Sequence, residues 1–298
     1  MDYIKNINKD EIRSGFLVTS DRKKIWQKLM EMMVLFDEIC QKHAIRYYIS
    51  YGTLIGAIRH GGFIPWDNDV DYFVLRPDYE RLKLVMPDEL KPPYTYVQFT
   101  NYTFYKLRDM STTGISLDMF PLDLDYNPAG SYSDEQMLAM KTFEELYELF
   151  LSPNHLAGKI INEGYQPVLP LKTLEKLALT SKEYRFKLFE EAAARLYDAT
   201  DYCNYYVERG LDGVRWGIRV HQPMPKAWFG DGATIEFEGI PFPCPVEIDP
   251  VLTELYGDWR VEKRFCSKHE GAIQSPDLPA EYYQWQINGG TIAPPKDK

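Results

Sequence analysis

Residues Tyr51 to Phe73 read YGTLIGAIRHGGFIPWDNDVDYF, and the rest of the chain is organised around them. Asp67, Asp69 and Asp71 alternate with Asn68, Val70 and Tyr72, so in an extended strand the three acids share one face. Like charges so placed repel and raise one another's pKa unless a cation neutralises them. Mg²⁺ is expected, with Mn²⁺ as the alternative, because it takes oxygen ligands and completes its shell with water and substrate phosphate. Upstream, Gly52-Thr53 follows Tyr47, Tyr48 and Ile49 and precedes Leu54, Ile55, Ala57 and Ile58 at helical spacing. A strand, a glycine turn and a helix in that order offer backbone N–H groups to an anion. Arg59 and His60 add side-chain donors. With 44 acidic residues among 298, about six acidic-x-acidic pairs arise by chance, so the flanks decide. Phe63, Ile64, Pro65 and Trp66 before the acids, and Val70, Phe73, Val74 and Leu75 after them, are too apolar for a solvated edge strand. Buried carboxylates need a partner.

The stretch resembles the LicD family of bacterial phosphocholine transferases, related to the fukutin group. The family pattern GTLLGAxRHxGFIPWDDDxD stands against GTLIGAIRHGGFIPWDNDVD here. Asn68 replaces the usual middle aspartate; by the two-residue period it faces away from the other acids. The family is in turn similar to the nucleotidyltransferase superfamily, which has a Gly-Ser/Thr turn, Asp-x-Asp on one strand and a third acid on a neighbouring strand. That resemblance makes Asp69 and Asp71 the catalytic and metal-binding pair. It points to Asp118, in ISLDMFPLD, as the third acid, with Asp123 as the alternative beyond a strand-ending Pro121. Gly52, Thr53, Arg59, His60 and Lys106 are the expected substrate-binding residues. Lys106 and Arg108 flank Leu107, and LicD-like sequences carry a lysine at a comparable place.

An apolar fraction of 45% and 22 tyrosines supply a substantial core. The net charge of −10 argues against nucleic acid as partner, since a phosphate backbone needs a basic face. Cys40, Cys203, Cys244 and Cys266 form no paired motif, and Cys266 with His269 does not make a zinc site; reduced thiols are expected. The polar N-terminus is no signal peptide, and no apolar run is long enough to span a bilayer. A cytoplasmic protein is expected, with peripheral contact at the inner face of the membrane.

The fold class expected is α+β: a nucleotidyltransferase-like mixed sheet flanked by helices. Residues 1–130 form the catalytic core in this reading, 131–227 a helical insert on the acceptor side, and 228–298 a C-terminal hairpin and helix with a surface tail beyond Lys268. Apolar spacing predicts a helix from Asp21 to about His43. Another starts at Pro77, and Pro87 is expected to break the chain. Strands are predicted over Tyr94–Thr100, Phe104–Arg108 and around Asp118. Ser133–Gln136 reads as a capping box, Thr180 with Glu183 as another, with loops around Pro153, Pro167 and Pro170 between. Tyr184, Tyr197, Tyr202, Tyr205 and Tyr206 are core, or an aromatic box for a quaternary ammonium. Ile235–Pro245 reads as a hairpin and Asp249–Tyr256 as a short helix closing at Gly257.

The resemblance implies a CDP-alcohol donor, most simply CDP-choline, and transfer of its phospho-alcohol to a hydroxyl of a glycan or lipid-linked oligosaccharide, releasing CMP. Competing readings are a nucleotidyltransferase, an Asp-x-Asp glycosyltransferase and a non-catalytic glycan-binding module.

Overall fold

The computed structural model describes residues 2–98, 104–127, 129–204 and 222–262, with Gln274, Pro276 and Asp277. It opens with a hairpin of β1 (Glu11–Arg13) and β2 (Phe16–Val18), followed by α1 (Ser20–Lys42). Helix α1 is the predicted one within a residue at each end, and the Thr19 hydroxyl accepts from Arg22 N at 3.2 Å as its cap. Then come β3 (Tyr48–Ile49), α2 (Tyr51–His60), β4 (Val70–Leu75) and α3 (Arg76–Glu89). Strands β5 (Tyr94–Gln98), β6 (Tyr105–Asp109) and β7 (Ser116–Asp125) complete the first half.

Helices α4 (Asp134–Leu151), α5 (Pro153–Asn162), α6 (Leu171–Ala178) and α7 (Lys182–Leu196) follow. After them lie β8 (Tyr202–Asn204), β9 (Met224–Pro225), a hairpin of β10 (Ala233–Phe237) and β11 (Ile240–Cys244), and α8 (Ile248–Tyr256). The molecule is an α+β fold on a mixed seven-stranded sheet. Its path is β3-β4-β7-β6-β5, with β8 paired to β7 and β9 to β8. Among the described strands of this sheet only β4 and β7 run parallel; the other pairs are antiparallel.

Alternation along the central strands sets the two faces. Val70, Tyr72 and Val74 of β4 and Leu117 and Met119 of β7 pack with Trp26, Met30, Met33 and Phe36 of α1. Phe73, Leu75 and Leu122 point the other way, toward Tyr48, Phe229 and Val251. By this period Asp71 and Asp118 project from the face opposite α1.

Several expectations change. Strand β7 does not end at Pro121. The proline falls after the β6 pairing stops at Met119 and before the β8 pairing starts at Asp123, where a missing N–H is tolerated. Helix α3 likewise continues past Pro87, which lies in its last turn. The loops expected around Pro153 and Pro170 hold α5 and α6, because proline at a helix start loses only an N–H that has no helical partner. The Ser133 box forms with Gln136, whereas α7 is capped by Ser181, one residue after Thr180. The segment expected to be helical also carries β8 and β9. Cys40, Cys203 and Cys244 are buried and free. Cys266, His269, Tyr205, Tyr206 and most of the chain beyond Lys268 lie outside the described residues.

Candidate active site

Register across three strands builds the centre of the site. Asp71 of β4 stands opposite Asp118 of β7, and Asp118 stands opposite Lys106 of β6. Lys106 Nζ donates to Asp118 Oδ2 at 2.6 Å, and Ser116 Oγ donates to Asp118 Oδ1 at 3.1 Å. The chain order carboxylate, carboxylate, ammonium is thus a row across the sheet.

Asp67 and Asp69 are not on the strand as expected. Strand β4 begins at Val70, and both acids lie on the segment that leads into it. That segment is pinned from behind: Trp26 Nε1 and Arg22 Nη1 of α1 donate to the Asp67 carbonyl at 2.9 and 3.1 Å. Asp67 Oδ1 in turn accepts from Asn68 N at 3.0 Å. The acids still converge. Burial first, and then the Asp69 charge, raise the carboxyl of Asp67 well above the usual range. Burial, Asp69, Asp118 and Asp67 raise that of Asp71, with Lys106 opposing.

Helix α2 meets this cluster with its first turn. Gly52 and Thr53 lie inside the helix rather than in a turn before it, and Tyr51, at φ 44°, makes the bend from β3. Gly52 is required by contact: a Cβ there would stand 2.5 Å from Asp67 Oδ2. Thr53 is buried, and its hydroxyl accepts from Asp71 N at 3.0 Å, fixing the backbone that carries the acid. The two residues brace the acids from the helix side.

Beside the acids opens a pocket of about 500 Å³, lined by Gly52, Arg59, Trp66, Asp67, Tyr256 and Trp259 among others. Arg59 donates to the Trp259 carbonyl at 3.1 Å, joining α2 to the chain after α8. Partial burial, then the charges of Asp71, Asp67 and Asp69, raise the pKa of Tyr256. Tyr256 and Trp259 therefore line the site, where the sequence assigned this stretch only the close of a short helix. His60 does not line the pocket. Its Nδ1 faces Ser14 Oγ at 3.5 Å, and burial, then Arg59, lower its pKa.

Asp123 has a different role from Asp118. It takes the buried Arg76 guanidinium on both oxygens, Nη2 to Oδ2 at 3.0 Å, at the far end of β7. The site could hold a hard divalent cation by its chemistry: every donor is a carboxylate oxygen, and one ammonium stands against four acids. Among the described residues no three His, Cys, Asp or Glu side chains form a ready ligand set. Asp118 is held by Lys106, and Asp67 and Asp69 share a side-chain hydrogen bond.

Comparison with known proteins bears on the same residues. Residues 44–156 match the family described as LicD/FKTN/FKRP, nucleotidyltransferase domain. Over 57 residues, 18% of this chain and 22% of the relative, the sequence is 47% identical to lipopolysaccharide cholinephosphotransferase LicD of Haemophilus influenzae. Over 67 residues, 22% of this chain and 25% of the relative, it is 37% identical to the uncharacterized protein RP689 of Rickettsia prowazekii. Over 120 residues, 39% of this chain and 24% of the relative, it is 24% identical to ribitol 5-phosphate transferase FKRP of Homo sapiens. These matches span a quarter or less of each relative's own length. The matched segment starts just before β3 and ends in α5, so the acid loop, α2 and the Asp71–Asp118–Lys106 row all lie within the residues that resemble the LicD/FKTN/FKRP nucleotidyltransferase family.

Proposed function

We propose that this chain is a phosphotransferase that moves a phospho-alcohol, phosphocholine foremost, from a CDP-alcohol to a hydroxyl of a cell-surface glycan or its lipid-linked precursor, releasing CMP. The observation that carries the reading is the row Asp71–Asp118–Lys106 with Asp67 and Asp69 beside it. Asp69 and Asp71 would hold Mg²⁺, which would supply charge neutralisation at the reacting phosphate. Lys106 orients Asp118 and limits the negative charge that the donor meets. Gly52 and the first turn of α2 present backbone N–H groups toward the pyrophosphate. Arg59, at the pocket wall, adds a fixed positive charge.

In the transfer, an acceptor oxygen forms a bond to the distal phosphorus while the bond from that phosphorus to the CMP oxygen breaks. The hydroxyl proton passes to Asp118. Positioning and charge neutralisation carry most of the acceleration, as in phosphoryl transfer generally. The pocket supports a choline head: Trp66 and Tyr256 offer ring surface, Asp67 and Asp258 negative charge, and Ile55 and Leu255 an apolar wall. A trimethylammonium group suits that combination. Names of relatives support the class: one is a cholinephosphotransferase and another a ribitol 5-phosphate transferase.

The test is product analysis with CDP-choline labelled separately in its two halves, an acceptor glycan and Mg²⁺. The expected result is the choline label and its phosphate on the acceptor and CMP free in solution, absent with chelator. Label from the cytidine half on the acceptor would instead make the protein a nucleotidyltransferase.

A further inference from the structure

Away from the acid row, α5 and α6 fold back on α4 as a short helical pair. Leu149, Leu156 and Leu174 are buried between the three helices. A cavity of about 300 Å³ runs along their seam, lined by Leu156, Ile160, Ile161, Leu171, Leu174 and Ala178. Its apolar lining continues onto the surface: Ile161 is 78% exposed, Leu171 55% and Leu179 89%. Single exposed leucines are ordinary, but Ile161 and Leu171 border one cavity and Leu179 follows Ala178 of the same wall. The segment that forms the pair and its flanks carries charge opposite to the chain's. Residues 153–187 hold six Lys and Arg against three Glu, a local net charge of +3 in a chain of −10. Lys172 and Lys176 are both exposed, one turn apart on α6.

We propose that the α5–α6 pair docks this protein on an anionic lipid surface, with Ile161, Leu171 and Leu179 entering the interfacial layer and Lys172 and Lys176 meeting headgroup phosphates. Charge chooses the occupant. A second copy of the chain would bring an equally positive face against this one, whereas an anionic bilayer answers both the lysines and the exposed aliphatics. The contact is interfacial, since no helix among the described residues is long and apolar enough to cross a membrane. The inference does not depend on the phosphotransferase reading.

The test is co-sedimentation of the full chain with vesicles of phosphatidylcholine alone and with about one-third phosphatidylglycerol, at low and high salt. Binding to the anionic vesicles is expected to exceed binding to the neutral ones by about tenfold or more and to fall with salt. Ile161→Asp with Leu179→Asp should lower it about tenfold or more at unchanged Tm, because both side chains are exposed. Lys172→Glu with Lys176→Glu should remove the preference for anionic lipid. Equal binding to both vesicles, no binding to either, or wild-type binding by the aspartate variant would overturn the proposal. So would concentration-dependent dimers that form through this face in place of vesicle binding.

Discussion

Asp71 shows most directly what the site costs the fold. Its neighbours Asp69, Asp118 and Asp67 are all negative, and Lys106 alone among the named causes offsets them. A carboxyl whose folded pKa lies above its unfolded value, about 3.9, binds its proton more tightly in the fold. Its destabilising contribution is absent below the unfolded pKa, grows as pH rises through that window and is complete above the folded pKa. Asp71 and Asp67 therefore favour the metal-free fold at acid pH and strain it at neutral pH. Replacing Asp71 by Asn should raise the Tm at pH 7 by a few degrees, on the order of 1 kcal/mol or more, and abolish turnover. Calorimetry across pH checks the sign; a lowered Tm at neutral pH would show that the charge is not penalised. Gly52→Ala makes the complementary case. Its Cβ would displace the Asp67 carboxylate, so kcat/KM should fall about 10- to 100-fold while circular dichroism stays unchanged. That Asp71, Asp118 and Lys106 meet was legible because they lie within a few dozen residues on strands, whereas the two-residue period did not place Asp67 and Asp69, which precede β4. Tyr256 and Trp259 were not legible as site residues: Arg59 reaches Trp259 across 200 residues of sequence, and nothing local in the chain announces such a contact.

Elements with a strong local period emerged close to prediction, among them α1, the capping box of α4 and the β10–β11 hairpin. Several of those that failed were decided by proline. Pro153 and Pro170 look like breakers in isolation but start helices, and Pro121 is absorbed where β7 changes partners. The hairpin shows what the sequence pattern could not: why its turn reads Glu238-Gly239, at φ 50° and 79°. Asparagine suits the first of these positions better than glutamate. Glu238 is retained for what it touches. Its N–H donates to the Gly61 carbonyl at 2.8 Å. Its Oε1 accepts from Phe63 N at 3.2 Å and from Arg13 at 3.3 Å. The hairpin thereby clamps the loop that follows α2 and carries Ile64 and Trp66 to the pocket. Glu238→Asn should improve the turn yet destabilise the protein by about 1–3 kcal/mol and raise the donor's KM. Glu238→Gln should retain most of both. Urea denaturation with donor kinetics on the two variants checks this; a stabilised Asn variant with normal KM would reduce Glu238 to a turn residue.

At the scale of the molecule, a buried cation links the central sheet to the helices that follow it. Arg76, at the start of α3, binds Asp123 of β7 on both oxygens. It also reaches Glu80 of its own helix at 2.9 Å and Glu190 of α7 at 3.5 Å, while Lys83 meets Glu190 at 2.9 Å. Burial raises the pKa of both Asp123 and Glu190 even though cations oppose it. Removing Arg76 would thus leave buried Asp123 without the guanidinium that binds both its oxygens, and Glu190 with Lys83 alone. Breaking such a cluster from one side costs about 3–5 kcal/mol. Arg76→Met should lower the Tm accordingly, and Arg76→Lys should recover only part of the loss, because an ammonium cannot match both Asp123 oxygens at once. The cluster also predicts how the molecule unfolds. Since α7 is tied to α3 and β7 through Arg76, the helices and the sheet should melt together in a single calorimetric transition in the wild type. In Arg76→Met, Lys83 still holds Glu190, but the charge link from α7 to Asp123 of β7 is lost, and the helical segment should melt first, splitting the transition. A variant that melts in one step at a lower temperature would mean that apolar contacts of α7, not the charge cluster, join the two parts.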